Sequence, residues 1–109
     1  MMDSESSALV IFVTAGSEIE AENIAMALVQ DRLTACVSIV PKIRSIYIWE
    51  EKLEKEEEIL LIIKTREALF ERVRGRVKEL HSYSVPEIIA LPVTNALKEY
   101  LDWIFEVTV

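Results

Sequence analysis

Residues 35–50 read A-C-V-S-I-V-P-K-I-R-S-I-Y-I-W-E, and this stretch decides the fold. It is dense in Val, Ile, Tyr and Trp, side chains that suit a pleated, half-buried surface. It is too long for an ordinary strand, which runs about 3–10 residues. Fully extended at about 3.3 Å per residue, it would reach about 53 Å. A compact domain of 109 residues has a radius of gyration of about 13 Å. The stretch must therefore bend, overhang its domain, or both. Pro41 is the natural break, because a residue without an amide donor marks a bulge, a bend or a sheet edge.

The flanking chain completes a pattern. Leu9–Val13 is an unbroken apolar run, expected as a central strand buried on both faces. Ser17 is placed to cap a helix, with Glu20 completing a capping box. That helix is expected to reach about Arg32, with Ala21, Ile24, Ala25, Leu28 and the stem of Arg32 on its inner side. Beyond the quoted stretch, residues 50–55 turn the chain and Glu56–Thr65 returns as the partner strand of a long hairpin. Phe70, Val73, Val77 and Leu80 form the core face of a second helix over Arg66–His81. Pro86 then keeps His81-Ser-Tyr-Ser-Val-Pro a loop. Glu87–Leu91 is a short strand closed by Pro92. Asn95 is expected to cap a short last helix with Leu97, Leu101 and Ile104 inward, and Phe105–Val109 to add a weak edge strand.

This order predicts an α+β fold: a ferredoxin-like β-α-β-β-α-β sandwich, its antiparallel sheet carrying two helices on one face, with a long β2-β3 hairpin and a short C-terminal helix. Residues 1–7 are expected to be a disordered tail and residues 8–109 a single domain.

Composition narrows the function. The net charge is −7, from 19 acidic and 12 basic residues, which argues against nucleic acid and anionic membranes as partners. Apolar runs such as Ala8–Val13 and Ile59–Ile63 fall far short of the roughly 18 residues of a membrane span. The single cysteine fits a reducing compartment, and the acidic start lacks the basic region of a signal peptide, so a cytoplasmic location is expected.

The runs L-T-A-C-V-S-I-V-P, S-I-Y-I-W, E-E-E-I-L-L-I-I-K-T, H-S-Y-S-V-P-E-I-I-A-L-P-V and Y-L-D-W, in this order from Leu9 to Trp103, resemble the CutA family of divalent-cation tolerance proteins. The resemblance implies a homotrimer, so that the main partner is the chain itself. It also implies an architecture similar to PII-type signal proteins, a role in tolerance of copper and other divalent metals, and no catalytic activity. A trimer has an independent reason too, since an overhanging strand pair leaves an edge that a neighbour in a closed ring can cover. The chain departs from the family pattern at Ser38, Lys42, Glu51, Ser82 and Asn95-Ala96; three of these changes replace a turn glycine. A negative φ is expected at Glu51, since a left-handed residue would cost about 1–2 kcal/mol.

Cys36 and His81, the sole thiol and imidazole, are the candidate metal ligands, suited to copper or another divalent ion. The competing reading makes Cys36 a small hydrophobe and His81 a hydrogen-bonded loop residue. Some family members carry a further Cys and a second His where this chain has Val13 and Leu80. No cofactor is required. Tyr47, Trp49, Glu58, Lys64, Tyr83, Glu87 and Trp103 match the family's motifs and are expected at an inter-subunit cleft or interface. In the acidic run 54–58, alternate carboxylates splay to opposite faces, and Glu58 is the one expected to face the cleft. The alternative function is a PII-like signalling trimer that binds a small effector in these clefts. Neither a Ser-His-Asp order nor a phosphate-binding glycine loop is present, so an enzyme is not expected.

Overall fold

The first apolar run becomes the strand around which the sheet is built. The computed structural model describes residues 7–109. The elements are β1 (Ala8–Ala15), α1 (Glu18–Gln30), β2 (Cys36–Trp49), β3 (Lys52–Arg66), a 3-10 turn (Glu67–Leu69), α2 (Phe70–Leu80), β4 (Ile88–Pro92) and α3 (Lys98–Val107). They form an α+β fold with one four-stranded sheet in the order β2-β3-β1-β4, every neighbouring pair antiparallel. The tail expected over residues 1–7 lies outside the described residues except for Ser7, whose carbonyl accepts a hydrogen bond from the Glu67 amide at 2.8 Å.

Alternation along the central strands builds the core. Leu9, Ile11, Val13 and Ala15 of β1 and Ile59, Leu61 and Ile63 of β3 pack against Ala21, Ile24, Ala25 and Leu28 of α1 and Val73 and Val77 of α2. β1 is not sealed on both faces as expected: Val10 and Phe12, on the side away from these helices, are only half-buried. An apolar run at the sheet centre can thus serve one closed face and one partly open one.

The opening stretch both bends and overhangs. β2 and β3 stay paired from Cys36 opposite Lys64 to Trp49 opposite Lys52. The molecule measures 45 × 27 × 22 Å, and its radius of gyration of 14.6 Å exceeds the compact value of about 13 Å. The expected six-residue turn shrinks to Glu50-Glu51, and residues 52–55 belong to β3. At Pro41-Lys42 the register shifts: Val40 faces Leu60, but Ile43 faces Glu58. Three steps on β2 match two on β3, which is a bulge of one residue. Before it, even-numbered residues of β2 share a face with even-numbered residues of β3. After it, Ser45, Tyr47 and Trp49 oppose Glu56, Glu54 and Lys52. The bulge thus moves the odd-numbered residues of the overhang onto the face away from α1 and α2.

The ends of the elements correct several expectations. α1 stops at Gln30, and Arg32 lies beyond it, exposed, at φ 59°. The Leu33 amide donates to the Leu28 carbonyl and the Arg32 amide to the Val29 carbonyl, both at 3.0 Å. This is a Schellman close with arginine where glycine is usual. Asn95 does not cap α3; the helix starts later, with Leu97 at its N-cap position and no side-chain cap. Leu97 is exposed rather than inward, while Ile104 is buried. The expected edge strand over residues 105–109 is absent, because α3 continues to Val107 and the Thr108 hydroxyl closes it on the Ile104 carbonyl at 2.8 Å.

Glu51 has φ 66°, not the negative value expected, and Glu50 and Lys42 are left-handed at 49° and 62°. Two consecutive positive φ angles make the tight hairpin turn whose twist matches the strands, a geometry that favours Asn-Gly. Cooperative strand pairing on both sides overrides the local cost. Glu51→Gly is therefore expected to raise the melting temperature at fixed protein concentration, as are Lys42→Gly and Arg32→Gly. Relief of about 1–2 kcal/mol, less about 0.4–1 kcal/mol for the freer unfolded chain, leaves a gain of up to about 1.5 kcal/mol per site. A lower melting temperature for Glu51→Gly would show that its side chain contributes more than its backbone costs.

Candidate functional site

The face exchange at the bulge creates a cleft. Ser45, Ile46, Tyr47 and Trp49 of β2, Glu58 of β3, Thr14 of β1 and residues 83–87 enclose about 670 Å³. Such a volume falls within the range of small-molecule sites, about 300–1,000 Å³. The hairpin supplies one wall and the loop between α2 and β4 the other.

His81 anchors that loop. It caps α2, is buried, and uses both ring nitrogens. The Tyr83 amide donates to Nδ1 at 3.1 Å, so the proton sits on Nε2 and is donated to the Thr14 carbonyl at 2.7 Å. The His81 and Tyr83 rings lie 4.6 Å apart. Glu20 is a second brace. Ser17 accepts from the Glu20 amide at 3.2 Å, as expected of a helix cap. The Glu20 carboxylate, however, reaches outside the helix to the Ser82 amide at 2.7 Å and the Gly16 amide at 3.4 Å. Burial raises its pKa, but the hydrogen bonds from Ser82 and Gly16 outweigh that and leave it lowered. Gly16 leaves room for the Tyr83 ring: a Cβ there would stand 3.2 Å from the Tyr83 hydroxyl, a tight contact.

The loop so held delivers Tyr83 to Glu58. The phenol donates to Glu58 Oε2 at 2.9 Å, and the Glu58 side chain is deeply buried. Burial raises the Tyr83 pKa, and the hydrogen bond to Glu58 and that carboxylate's charge add to the rise. Tyr47 is raised by desolvation and by Glu56, Glu58 and Glu54. Burial pushes the Glu87 carboxyl up, and the Glu58 charge adds to it. The cleft thus combines aromatic walls with two carboxylates.

Five of the expected cleft residues come together here: Tyr47, Trp49, Glu58, Tyr83 and Glu87. Lys64 does not join them. It lies six residues beyond Glu58 on β3, about 20 Å along the strand, and its ammonium donates to the Ser38 hydroxyl at 2.8 Å and the Ile62 carbonyl at 3.3 Å. Cys36 is its cross-strand neighbour, with Sγ 4.0 Å from Ser38 Oγ. Trp103 is on α3, its ring 5.5 Å from that of Tyr100. Cys36 and His81 are apart as well. Val10 is level with Lys64, and the His81 partner Thr14 is level with Leu60; four strand residues make about 13 Å. Among the described residues, no group of three or more His, Cys, Asp or Glu side chains is placed to hold a metal ion. Sequence reasoning missed Glu20, Thr14 and Ser45. Glu20 carried a signal, but its spacing from Ser17 spoke only of a helix cap.

A family model described as CutA1 divalent ion tolerance protein matches residues 9–107. The divalent-cation tolerance protein CutA of Thermus thermophilus is 48% identical over 99 residues, 91% of this chain and 96% of that protein. Its solved structure superimposes with a TM-score of 0.92, covering 94% and 99% of the two chains at 47% identity. A structure described as the periplasmic divalent cation tolerance protein CutA from Archaeoglobus fulgidus gives 0.89 at 47% identity, covering 92% and 97%. The chloroplastic protein CutA of Arabidopsis thaliana is 45% identical over 88% of this chain, which spans 53% of that longer relative.

The raised phenols make an alkaline prediction. All three tyrosines, Tyr47, Tyr83 and Tyr100, have pKa values above the ordinary 10.0. Their neutral forms are favoured by the fold, so this stability is intact below the ordinary value and is lost as pH rises through the folded one. Ultraviolet difference titration should show a smaller phenolate fraction than free tyrosine has at the pH where it is half-ionised. Tyr83→Phe should make the alkaline limb of the stability curve shallower; an unchanged limb would contradict the Tyr83–Glu58 coupling.

Proposed function

The chain belongs to the CutA1 divalent ion tolerance family, and we propose that it is a ferredoxin-like homotrimer serving tolerance of, or response to, divalent cations, copper among them. The observation that carries the trimer is the apolar surface of the overhang. Ile46, Ile48 and Leu53, on one face of the hairpin, are 66%, 66% and 63% exposed, and Trp49, on the other face, is 48% exposed. A large exposed apolar patch on a soluble protein marks an interaction surface. β2 is also an edge strand, with its outer hydrogen-bonding groups unmatched within the sheet. Three identical overhangs, each laid on the next subunit, form heterologous contacts that close into a ring.

Cys36 is the better of the two candidate copper ligands. It is a free, half-buried thiol, and thiolates suit Cu(I). His81 could bind a metal only by giving up the two hydrogen bonds that hold the loop. We assign no catalytic step, because the sole imidazole is committed to that anchor. No helix among the described residues is long and apolar enough to cross a membrane, and the lone thiol supports a cytoplasmic location.

Light scattering should give three times the monomer mass at micromolar concentration. Ile48→Glu should dissociate the assembly while leaving the circular dichroism spectrum unchanged. A wild-type monomer would overturn the trimer. In a Cu(I) titration, Cys36→Ser should weaken binding and His81→Gln should leave it unchanged; equal affinity in all three proteins would remove Cys36 from the site.

A further inference from the structure

We infer that residues 81–87 form a strap latched by Glu20, and that acid releases the latch and with it the hold of Tyr83 on Glu58. Every bond concerned joins atoms of one chain, so the latch is the same whatever covers the strap in the assembly.

The strap has little hold of its own. Residues 82–86 lie outside every helix and strand. Side chains tie their backbone down instead. Glu20 accepts from the Ser82 amide, His81 Nδ1 accepts from the Tyr83 amide, and Lys78 donates to the Ser84 carbonyl at 3.4 Å. Of these three ties, the one to Glu20 is the shortest, at 2.7 Å, and it alone crosses to α1. A segment held by so few bonds belongs to the low end of local stability, where losing one tie is felt.

One carboxylate grips two places. Oε2 takes the Ser82 amide in the strap, and Oε1 takes the Gly16 amide in the turn between β1 and α1, at 3.4 Å. The Tyr83 hydroxyl lies close to Gly16 and donates to Glu58, so both grips bear on the same phenol. Each carboxylate oxygen faces an N–H. An added proton sets an O–H against one of these donors and removes the charge that strengthens the other bond.

The charged groups around Glu20 are few. Glu18 shares its helical turn, and His81 stands at the end of α2. Lys78 and Glu58 act on the strap further along, at Ser84 and Tyr83. Burial raises the Glu20 pKa, but the bonds from Ser82 and Gly16 outweigh it, and the His81 charge works in their direction. The folded value lies below the ordinary 4.5. The stability Glu20 contributes is therefore full above the ordinary value and is lost as pH falls through the folded one.

The test follows the nuclear magnetic resonance signals of the isotopically labelled full-length protein as pH is lowered from neutral. The Ser82 and Gly16 amides should move together, with one midpoint below 4.5. The Tyr83 ring and the Trp49 indole, which lines the same cleft, should follow with that midpoint. Ile11 and Ile63, in the core, should stay fixed through the transition. Glu20→Gln should abolish the shared transition. At neutral pH it should speed exchange of the Ser82 amide at least about tenfold, the worth of one hydrogen bond to a charged group. Glu18→Gln, an exposed change in the same helical turn, should behave like wild type. A Ser82 amide that does not titrate overturns the latch. A titrating Ser82 amide with Tyr83 and Trp49 unmoved also overturns the inference, since the latch would then not govern Tyr83. Movement of Ile11 and Ile63 with the same midpoint overturns it in favour of global unfolding, and an equal effect of Glu18→Gln overturns it in favour of charge at the helix start in general.

Discussion

One extra residue in one strand governs the rest of the molecule. At Pro41-Lys42 the β2 register advances by one against β3, and every side chain beyond it changes face. Without that step Tyr47 and Trp49 would point to the side of the sheet that carries α1 and α2. With it they stand over Glu58, and Ile46 and Ile48 take the other face, where they are exposed. Both properties of the overhang, a polar-aromatic cleft and an apolar outer surface, follow from one backbone irregularity. Proline suits it because the ladder there has no use for an amide donor.

The bulge was legible because Pro41 announces it chemically. The helices were legible because Ala21, Ile24 and Leu28, and Val73 and Val77, repeat at helical spacing and enter the core. The turn was not. Glu50-Glu51 lacks any residue that favours positive φ, so the sequence around it resembles a loose polar loop. Fourteen- and fifteen-residue strands zipped on either side impose a geometry that two residues would not choose alone. Asn95 misled in the opposite direction: a good cap residue is useless when the helix begins after Leu97.

The cleft was legible only in part. Tyr47, Trp49, Glu58, Tyr83 and Glu87 were singled out through the resemblance, and they meet. Lys64 and Trp103 carried the same signal but lie toward the other end of the sheet and on α3. Residues that hold the site were harder to see than those that line it. His81 invites reading as a metal ligand, yet its two nitrogens tie the loop to β1. Glu20 looks like half of a local cap, yet its carboxylate spans 62 residues of sequence to Ser82. Long-range hydrogen bonds leave no spacing pattern in a chain.

The register step also limits how the hairpin can change in length. Between Glu58 and the aromatic pair, one residue added to each strand would carry Tyr47 and Trp49 to the wrong face and empty the cleft of its rings. Two added to each strand would restore the face but lift the rings about 7 Å away from Glu58. Beyond Trp49 the chain is free of this restriction, since extra residues there extend the tip and leave earlier pairings untouched. Insertions and deletions should therefore collect at the tip, while the root of the hairpin keeps a fixed length.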